Sequence, residues 1–312
     1  MNKIAAVTGA TGFVGKHMVR LLTRQGYHVR ALTRRPQPDS DHVEWVEGTF
    51  QDELALTRLI TGADVVYHIA GAIKARNFAE FATINRDSVM ALLNALPNDE
   101  PRPHFILLSS LAARERSLSH YAESKRQGEE VLFDHAPADL DWTIIRAPAV
   151  YGPGDYEILK LFKSLKWGFS LVPGSKSNRT SLIFVEDLVG AMAECANCEQ
   201  VYSKILDVDD NREDGYSLQE IFSTASEIMN RRAVKLTAGR KSLKLFAHTN
   251  KFMSRIFGYV PMVSPEKVNE LCHPDWRCRD EHIKNFIAWE PKIGLNKGLE
   301  ICFRWYREEN LL

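Results

Sequence analysis

The chain of 312 residues is long enough for one large domain or for two smaller domains that share a boundary. Hydrophobic residues make up 45% of it and charged residues 26%, which is typical of a globular protein. With 40 basic and 40 acidic residues the formal net charge is zero, so no nucleic-acid partner and no membrane partner is expected. The first residues lead directly into a predicted strand without the apolar stretch of a signal peptide, and we expect a cytoplasmic protein.

The first two thirds of the sequence alternate β-rich and helical segments, a pattern that indicates an α/β fold with a Rossmann-type doubly wound parallel sheet. The predicted strands span residues 4–8, 28–33, 43–47, 63–70, 104–109 and 142–146, and the predicted helices span 14–24, 54–60, 81–96 and 121–133. The alternation ends after residue 150, but a further helix at 186–196 and a further strand at 204–208 are predicted to return to the sheet. We therefore predict a dinucleotide-binding domain of residues 1–150 plus about 181–208, and a smaller interleaved C-terminal substrate domain of about 151–180 and 209–312.

A glycine-rich turn follows the first predicted strand and precedes the first predicted helix. Glycines stand at every third position of this turn, where a bound pyrophosphate must approach the backbone closely. The unpaired N–H groups at the start of the following helix favour the negative charge of phosphates. Because the turn has the strand before it and the helix after it that such a site requires, it predicts dinucleotide binding. The predicted contacts are Gly9, Thr11, Gly12, Phe13, Val14 and Gly15.

The end of the second predicted strand bears on which dinucleotide is bound. An acidic residue there favours NAD because it binds the ribose 2′-hydroxyl, whereas an arginine suits the 2′-phosphate of NADP. Arg34 and Arg35 follow the strand, and the first carboxylate after them is Asp39. Guanidinium groups pair with phosphate through two hydrogen bonds, so we predict NADP as the cofactor, with NAD possible. The alternative interpretation is a basic turn that is merely solvated.

A candidate catalytic set follows the turn. Tyr121 and Lys125 are four residues apart on a predicted helix and therefore share one face. Ser110 ends the fifth predicted strand, at the sheet edge where ligands of such folds bind. A tyrosine of ordinary pKa, near 10, is a poor base at neutral pH, but a nearby ammonium group stabilises its phenolate. Tyr121 could then exchange a proton with a substrate oxygen that Ser110 holds, while hydride moves at carbon.

These motifs together resemble the extended short-chain dehydrogenases/reductases, the NAD-dependent epimerase/dehydratase group. The resemblance spans nearly the whole chain and implies an NAD(P)-dependent enzyme with a catalytic triad of Ser110, Tyr121 and Lys125. It also implies cofactor contacts from the glycine-rich turn, Ala70, Gly71, Lys125 and Pro148. The matching segments are Thr8 to Gly15, His68 to Gly71, Asn85, Ser109-Ser110, Tyr121 with Lys125, Arg146 to Gly154, Phe184 to Leu188, Trp289 to Pro291, Gly298-Leu299 and Trp305-Tyr306.

Two departures from the family pattern concern the substrate. The chain reaches Tyr121 soon after Ser110, without the Tyr-Gly pair and insertion usual in enzymes that act on nucleotide sugars. Arg179 lies near the place where those enzymes hold a diphosphate, but it is offset by one residue. We therefore expect a small-molecule substrate with a carbonyl or alcohol group, reduced or oxidised by hydride transfer. The alternatives are a nucleotide-sugar epimerase or dehydratase with tightly bound NAD(P), and a non-catalytic dinucleotide-binding protein.

Two features of the C-terminal half, a basic and apolar segment and a set of five cysteines, need no special function to explain them. Residues 240–257 mix basic and apolar side chains, which suits a membrane-surface helix, a lid over an apolar substrate, or a substrate-domain helix with one buried face. We favour the last. The five cysteines include the pairs Cys195/Cys198 and Cys272/Cys278, which we interpret as structural or free thiols, so no metal site is expected. A homodimer is possible.

Overall fold

A seven-stranded parallel sheet forms the centre of the protein in a computed structural model, which describes residues 3–98, 101–257 and 265–312. Its strands are β1 (Ile4–Thr8), β2 (His28–Thr33), β3 (Val43–Glu47), β4 (Val65–His68), β5 (His104–Ser110), β6 (Trp142–Ala147) and β11 (Lys204–Asp207). They lie in the order β11-β6-β5-β4-β1-β2-β3. The order reverses between β1 and β4, and a ligand crevice is expected outside the strand ends at that point. The predicted α/β fold with a Rossmann-type sheet is confirmed.

Helices cover both faces of this sheet because alternate strand residues point to opposite sides. Ala5 and Val7 of β1 pack with α1 (Phe13–Arg24) and α7 (Val185–Cys195) in one apolar core. Ala6 points the other way, into a second core. The helices of that second core are α2 (Glu53–Ile60), α4 (Ser88–Asn94) and α5 (His120–His135).

The helix predicted over residues 81–96 is three consecutive segments instead. They are α3 (Phe78–Ala82), a wider π-helical turn (Thr83–Asp87) and α4. Gly128 of α5 lies against this turn so closely that a Cβ there would be 2.1 Å from the carbonyl oxygen of Asn85. The apolar spacing of the segment predicts a helix, but it carries no signal for a change in helical pitch.

The C-terminal region consists of helices and short strand pairs, and it contains a third apolar core. The pairs are β7 (Ala149–Tyr151) with β10 (Leu182–Phe184), β8 (Phe169–Pro173) with β12 (Val234–Ala238), and β9 (Arg179–Thr180) with β13 (Asp275–Trp276). The helices of this core are α6 (Glu157–Lys166), α8 (Leu218–Ile228) and α11 (Leu295–Glu308), whereas α9 (Arg240–Phe257) and α10 (Pro265–Leu271) pack on each other in a separate small cluster. After β10, the chain returns to the large sheet through α7 and β11, and β11 pairs with β6. None of the helices in the described ranges is long and apolar enough to cross a membrane.

Candidate active site

A cavity of about 1320 Å³ lies at the carboxyl ends of the central strands, between the large sheet and the C-terminal region. Fourteen residues are predicted site residues from the sequence, and all of them except Arg35 line this cavity. Arg34 is exposed at the rim of the lining, and Arg35 is exposed just outside it. The lining set is Gly9, Thr11, Gly12, Phe13, Val14, Gly15, Arg34, Ala70, Gly71, Ser110, Tyr121, Lys125 and Pro148.

The glycine-rich turn forms one wall of the cavity, and its backbone leaves no room for side chains. Gly9 has a φ of +71°, in the left-handed region that favours glycine, and a Cβ on it would lie 2.6 Å from the backbone nitrogen of Ala70. A Cβ on Gly15 would lie 2.0 Å from the carbonyl oxygen of Gly9. Gly12 is the N-cap of α1, and no side chain in the described part of the protein caps the helix. The bare turn and the free N–H groups of α1 therefore fit a pyrophosphate.

Ser110 and Tyr121 both line the cavity, and the Ser110 side chain is close enough to the Tyr121 hydroxyl group to affect its pKa. Ser110 ends β5, and its Oγ also accepts a hydrogen bond from the backbone of Ala112 at 3.2 Å. Tyr121 is in the first turn of α5, which is fixed by its N-cap Ser119. Ser109 faces the opposite side of β5 and donates to Glu129 at 2.5 Å. Strand alternation thus places Ser110, and not Ser109, beside Tyr121.

Lys125 lies one turn after Tyr121 on α5, with its ammonium group beside Gly71. Its Nζ donates to the carbonyl oxygen of Leu108 at 3.0 Å. A Cβ on Gly71 would lie 3.0 Å from that Nζ, so glycine is the residue that leaves room for it. The ammonium group is therefore fixed between the end of β5 and the loop after β4.

Burial shifts the pKa values of both groups. It raises the pKa of Tyr121 to about 12, although the hydrogen bond with Ser110 offsets part of the rise. Burial lowers the pKa of Lys125 to about 8, and the negative charge of Glu129 offsets part of that fall. At neutral pH, Tyr121 therefore carries its proton and Lys125 is still mostly an ammonium ion. The pair is set up for Tyr121 to donate a proton and for Lys125 to stabilise the phenolate that results.

Asn85 fixes the loop that contains Gly71, a function that the motif alone does not reveal. Its Nδ2 donates to the carbonyl oxygen of Ala72 at 3.1 Å, and its Oδ1 accepts from the backbone nitrogen of Ala72 at 2.8 Å. The same Nδ2 donates to Ser124 at 2.8 Å. The π-helical turn carries Asn85, so this turn joins the loop to α5. π-Helical turns are often found at functional sites.

A buried ion pair supports α5 beneath Lys125. Arg146 of β6 binds both carboxylate oxygens of Glu129, at 2.9 Å and 2.7 Å, and binds Asp280 at 2.9 Å. Glu129 is four residues after Lys125, so the charge that favours the ammonium form is itself held by Arg146. The sequence signals Glu129 only through this spacing on one helix face.

The far end of the cavity has both apolar and polar walls. Leu111 and Ala112, which follow Ser110, line one side of this end, and Tyr151 and Asp155 line another. Among the described residues, the lining includes α10 and none of residues 240–250, so this first part of α9 does not cover the cavity. The side chains of residues 251–257, the rest of the segment interpreted as a lid, lie outside the described part of the protein. Leu243 and Ala247 of α9 pack instead on Val268, which is on the side of α10 away from the cavity. The further lining residues at this end are His120, Asn178, Arg179, Leu218, Ile221, Phe222, Glu266, Lys267, Glu270, Leu271, His273, Trp276, Leu295 and Leu299.

The cysteines lie outside this cavity lining, and the five are free thiols. Among the described residues one group, Asp209, Cys278 and His282, has three potential metal-ligand atoms within 4.8 Å of one another. These atoms already take part in hydrogen bonds, because Asp209 accepts from Ser181 at 2.6 Å and is bonded to His282 at 3.2 Å. The network ties the segment around Cys278 to the end of β11.

Comparison with known proteins identifies relatives along the whole chain. The model of the NAD dependent epimerase/dehydratase family matches residues 5–202. A ceramide reductase of Caulobacter vibrioides is 37% identical over 316 residues, which cover 97% of this chain and 94% of that protein. The solved structure of MoeE5 in complex with UDP-glucuronic acid and NAD has a TM-score of 0.76 at 20% identity, covering 99% of this chain and 100% of that chain. UDP-glucuronic acid 4-epimerase from Bacillus cereus in complex with NAD also has a TM-score of 0.76, at 18% identity over 98% of this chain and 99% of that chain.

The two solved structures share the fold, and the family match covers the glycine-rich turn, Ser110, Tyr121 and Lys125 within its range. The predicted family is thereby confirmed. The chain belongs to the NAD dependent epimerase/dehydratase family of extended short-chain dehydrogenases/reductases, and it is an enzyme with an NAD(P) cofactor.

Proposed function

We propose that the protein is an NADP(H)-dependent reductase that converts a ketone on a long-chain lipid of the ceramide type into an alcohol. The observation that carries the proposal is the cavity itself, which leads from the glycine-rich turn past Tyr121 to apolar walls of α8 and α11. The ceramide reductase of Caulobacter vibrioides, which aligns with nearly all of this chain, supports both the reaction and the substrate class.

The apolar walls suit an alkyl chain. Leu218, Ile221 and Phe222 of α8 line this end of the cavity, as do Leu295 and Leu299 of α11. Burying one methylene group of a substrate against such walls contributes about 0.8 kcal/mol, so a long chain gains affinity that a sugar would not gain. We assign the polar lining residues His120, Glu270 and His273 to the amide and hydroxyl groups of a ceramide-type head, although Glu270 also accepts from Lys267 at 2.6 Å and His273 from the backbone of Asp275 at 3.3 Å.

The proposed reaction assigns a task to each member of the triad. When bound, the nicotinamide ring supplies the hydride that adds to the carbonyl carbon of the substrate. Ser110 holds the carbonyl oxygen by a hydrogen bond, and Tyr121 donates its proton to the same oxygen. The pKa of about 12 keeps that proton on Tyr121 at neutral pH, which suits reduction. Lys125 then stabilises the phenolate left behind by its positive charge.

The cofactor contacts follow from the lining. We assign the pyrophosphate to the backbone of the glycine-rich turn and the first turn of α1. Arg34 is at the rim beside Leu32 and Thr33, where it can pair with a 2′-phosphate, and this supports NADP. Gly71 and Pro148 lie on the triad side of the cavity and would border the nicotinamide end.

The experiment is a reductase assay with the purified protein. The substrate is the ketone made by oxidising the secondary alcohol of a short-chain ceramide, and the absorbance of NADPH reports turnover. We expect NADPH consumption with formation of the alcohol, identified by mass spectrometry, and no turnover by the Tyr121→Phe variant. Consumption of NADPH that is equal in the variant, or no consumption with any lipid ketone, would refute the proposal.

A nucleotide-sugar epimerase is the second candidate, because Asn178 and Arg179 line the cavity and offer polar groups to a diphosphate. The side chain of Arg179 is already engaged, donating to the carbonyl oxygens of Lys176 and Asn178 at 3.3 Å each. Incubation with UDP-glucose or UDP-glucuronic acid separates the two candidates. Conversion of the sugar without net consumption of NADPH would favour the epimerase.

A further inference from the structure

The basic residues of the chain are segregated, although its net charge is zero. Residues 158–185 contain five lysines and arginines, residues 228–265 contain eight, and neither stretch contains an aspartate or a glutamate. The rest of the chain therefore carries an equal excess of acidic groups. One part of the C-terminal region has a strongly positive charge, and such a region attracts anionic surfaces.

The two basic stretches meet in the pair of strands β8 and β12, which exposes apolar side chains. Phe169 of β8 pairs with Val234 of β12, and Leu236 lies two residues further on the same face. Their exposed fractions are 41%, 66% and 50%, and Trp167 just before β8 is 79% exposed. We call these four side chains the β8–β12 apolar patch. A cluster of exposed aromatic and aliphatic groups of this kind marks an interaction surface.

Basic side chains flank this patch at both strand starts. Lys163 and Lys166 are exposed on the last turn of α6, directly before Trp167. Arg231 and Arg232 are exposed just before β12. The backbone nitrogen of residue 234 donates to the carbonyl oxygen of residue 168 at 2.8 Å, which brings these two cationic segments side by side.

The helix α9 also combines exposed apolar side chains with basic residues. A single residue separates it from the end of β12, and Leu243 and Ala247 pack it against α10. Leu245 and Phe246 are 69% and 59% exposed. Basic residues occupy the exposed start of the helix, at positions 240 and 241.

We propose that the β8–β12 apolar patch, its flanking cations and the exposed side of α9 dock on the anionic surface of a lipid bilayer. Apolar rings and basic side chains on one surface suit the headgroup region, where the rings insert and the cations meet anionic lipids. A two-fold dimer through this surface would bring the same positive charges together, which disfavours a second copy as the occupant.

Docking in this way would place the bilayer close to the substrate end of the cavity. Ile158 and Lys160 of α6 line the cavity, and Lys166 ends the same helix at the patch. Lys166 is six positions after Lys160 in the helix, a distance of about 9 Å along the axis. The inference rests on charge and exposure and goes beyond the proposed reaction, since binding to a bilayer needs no turnover.

The test is co-sedimentation of the full chain with phosphatidylcholine vesicles that contain, or lack, phosphatidylglycerol. We expect binding to the anionic vesicles, weakened by salt, and little binding to the neutral ones. The double variant Lys163→Glu/Lys166→Glu and the variant Trp167→Ser should each bind anionic vesicles at least ~10-fold more weakly. Each should keep the circular dichroism spectrum and melting temperature of the wild type, which shows that the chain is folded.

Matched controls change charge and apolar exposure elsewhere. Arg20→Glu/Arg24→Glu alters two exposed positions of α1, and Leu54→Ser removes a side chain that is 84% exposed on α2. Both should bind vesicles as the wild type does. Equal binding to neutral and anionic vesicles, or an equal loss in patch and control variants, overturns the proposal. So does a self-association of the wild type, seen by sedimentation velocity, that the patch variants abolish while vesicle binding persists.

Discussion

Lys125 should lower the stability of the fold at neutral pH while it serves the reaction. Its folded pKa of about 8 is below the ordinary value of 10.5, so the folded state disfavours the ammonium form. The difference of 2.5 pKa units, at 1.36 kcal/mol per unit, means that keeping Lys125 charged in the folded state lowers the free energy of unfolding at pH 7 by about 3 kcal/mol. The unfolded chain binds more protons than the folded chain between pH 8 and pH 10.5, so the penalty declines as pH rises through this window. Replacing Lys125 by Met, which has a similar length, should remove it.

Urea denaturation of the cofactor-free protein measures this effect. We expect Lys125→Met to unfold with a free energy higher by about 1–3 kcal/mol at pH 7, since the lost hydrogen bond to Leu108 offsets part of the gain. The gain should shrink to about half at pH 9.5, where the folded wild type has released the proton. The control Lys297→Met, at an exposed position of α11, should change stability by less than about 0.5 kcal/mol at either pH. A destabilised Lys125→Met protein, or a gain that is the same at both pH values, would show that the ammonium group is not penalised in the fold.

Two further predictions concern the reaction and the cofactor. Tyr121→Phe should reduce turnover at least ~100-fold while the cofactor still binds normally in a fluorescence titration, because only the proton donor is lost; near-normal turnover would contradict this role. Arg34→Ala should weaken NADPH binding by about 1–3 kcal/mol and leave NADH binding unchanged, measured by calorimetry, whereas Arg35→Ala should have little effect because it lies outside the lining. Equal affinity of the wild type for the two cofactors would refute the assignment of NADP.

The sequence predicts the parts of this site that depend on local order along the chain. A glycine-rich turn between a strand and a helix has a well-defined backbone, so the motif alone predicts that Gly9, Gly12 and Gly15 lie together at the strand end, where they line the cavity. The spacing of Tyr121 and Lys125 puts both on one face of α5, and Ser110 is predicted at the end of the fifth strand, whereas its separation from Ser109 is seen only in the structure. Each of these predictions depends on residues that are close together in the sequence, as in the four-residue spacing that places two side chains on one helix face.

The parts that the sequence does not predict depend on contacts between distant segments. Glu129 and Arg146 are ordinary charged residues until β6 and α5 pack together and bury their ion pair. Net charge is a property of the whole chain, and a net charge of zero predicts no membrane partner. It does not reveal that two stretches without acidic residues meet at β8 and β12. The pairing of β8 with β12 brings the two stretches, which are far apart in the sequence, onto one surface.

The π-helical turn allows the strongest test of this dependence on tertiary contact. Gly128 is the reason that α5 can approach the turn, because a Cβ at this position would be 2.1 Å from the carbonyl oxygen of Asn85. Gly128→Ala should push the two elements apart and cost about 1–3 kcal/mol of unfolding free energy in urea. It should also raise the KM for NADPH more than it lowers kcat. The reason is that Asn85 would release the backbone of Ala72, which is next to Gly71 in the loop that lines the cavity.

The control for this variant is Gly239→Ala. No atom lies within 4 Å of a Cβ built on Gly239, so this substitution should leave stability and KM close to the wild-type values. If Gly128→Ala is as stable as this control and binds NADPH equally well, the close approach does not maintain the π-helical turn. A loss of stability with an unchanged KM would separate the two effects, and would assign Gly128 to packing alone and not to the position of the loop after β4. The KM for NADPH therefore distinguishes a turn that merely fits between two helices from a turn that positions the loop after β4.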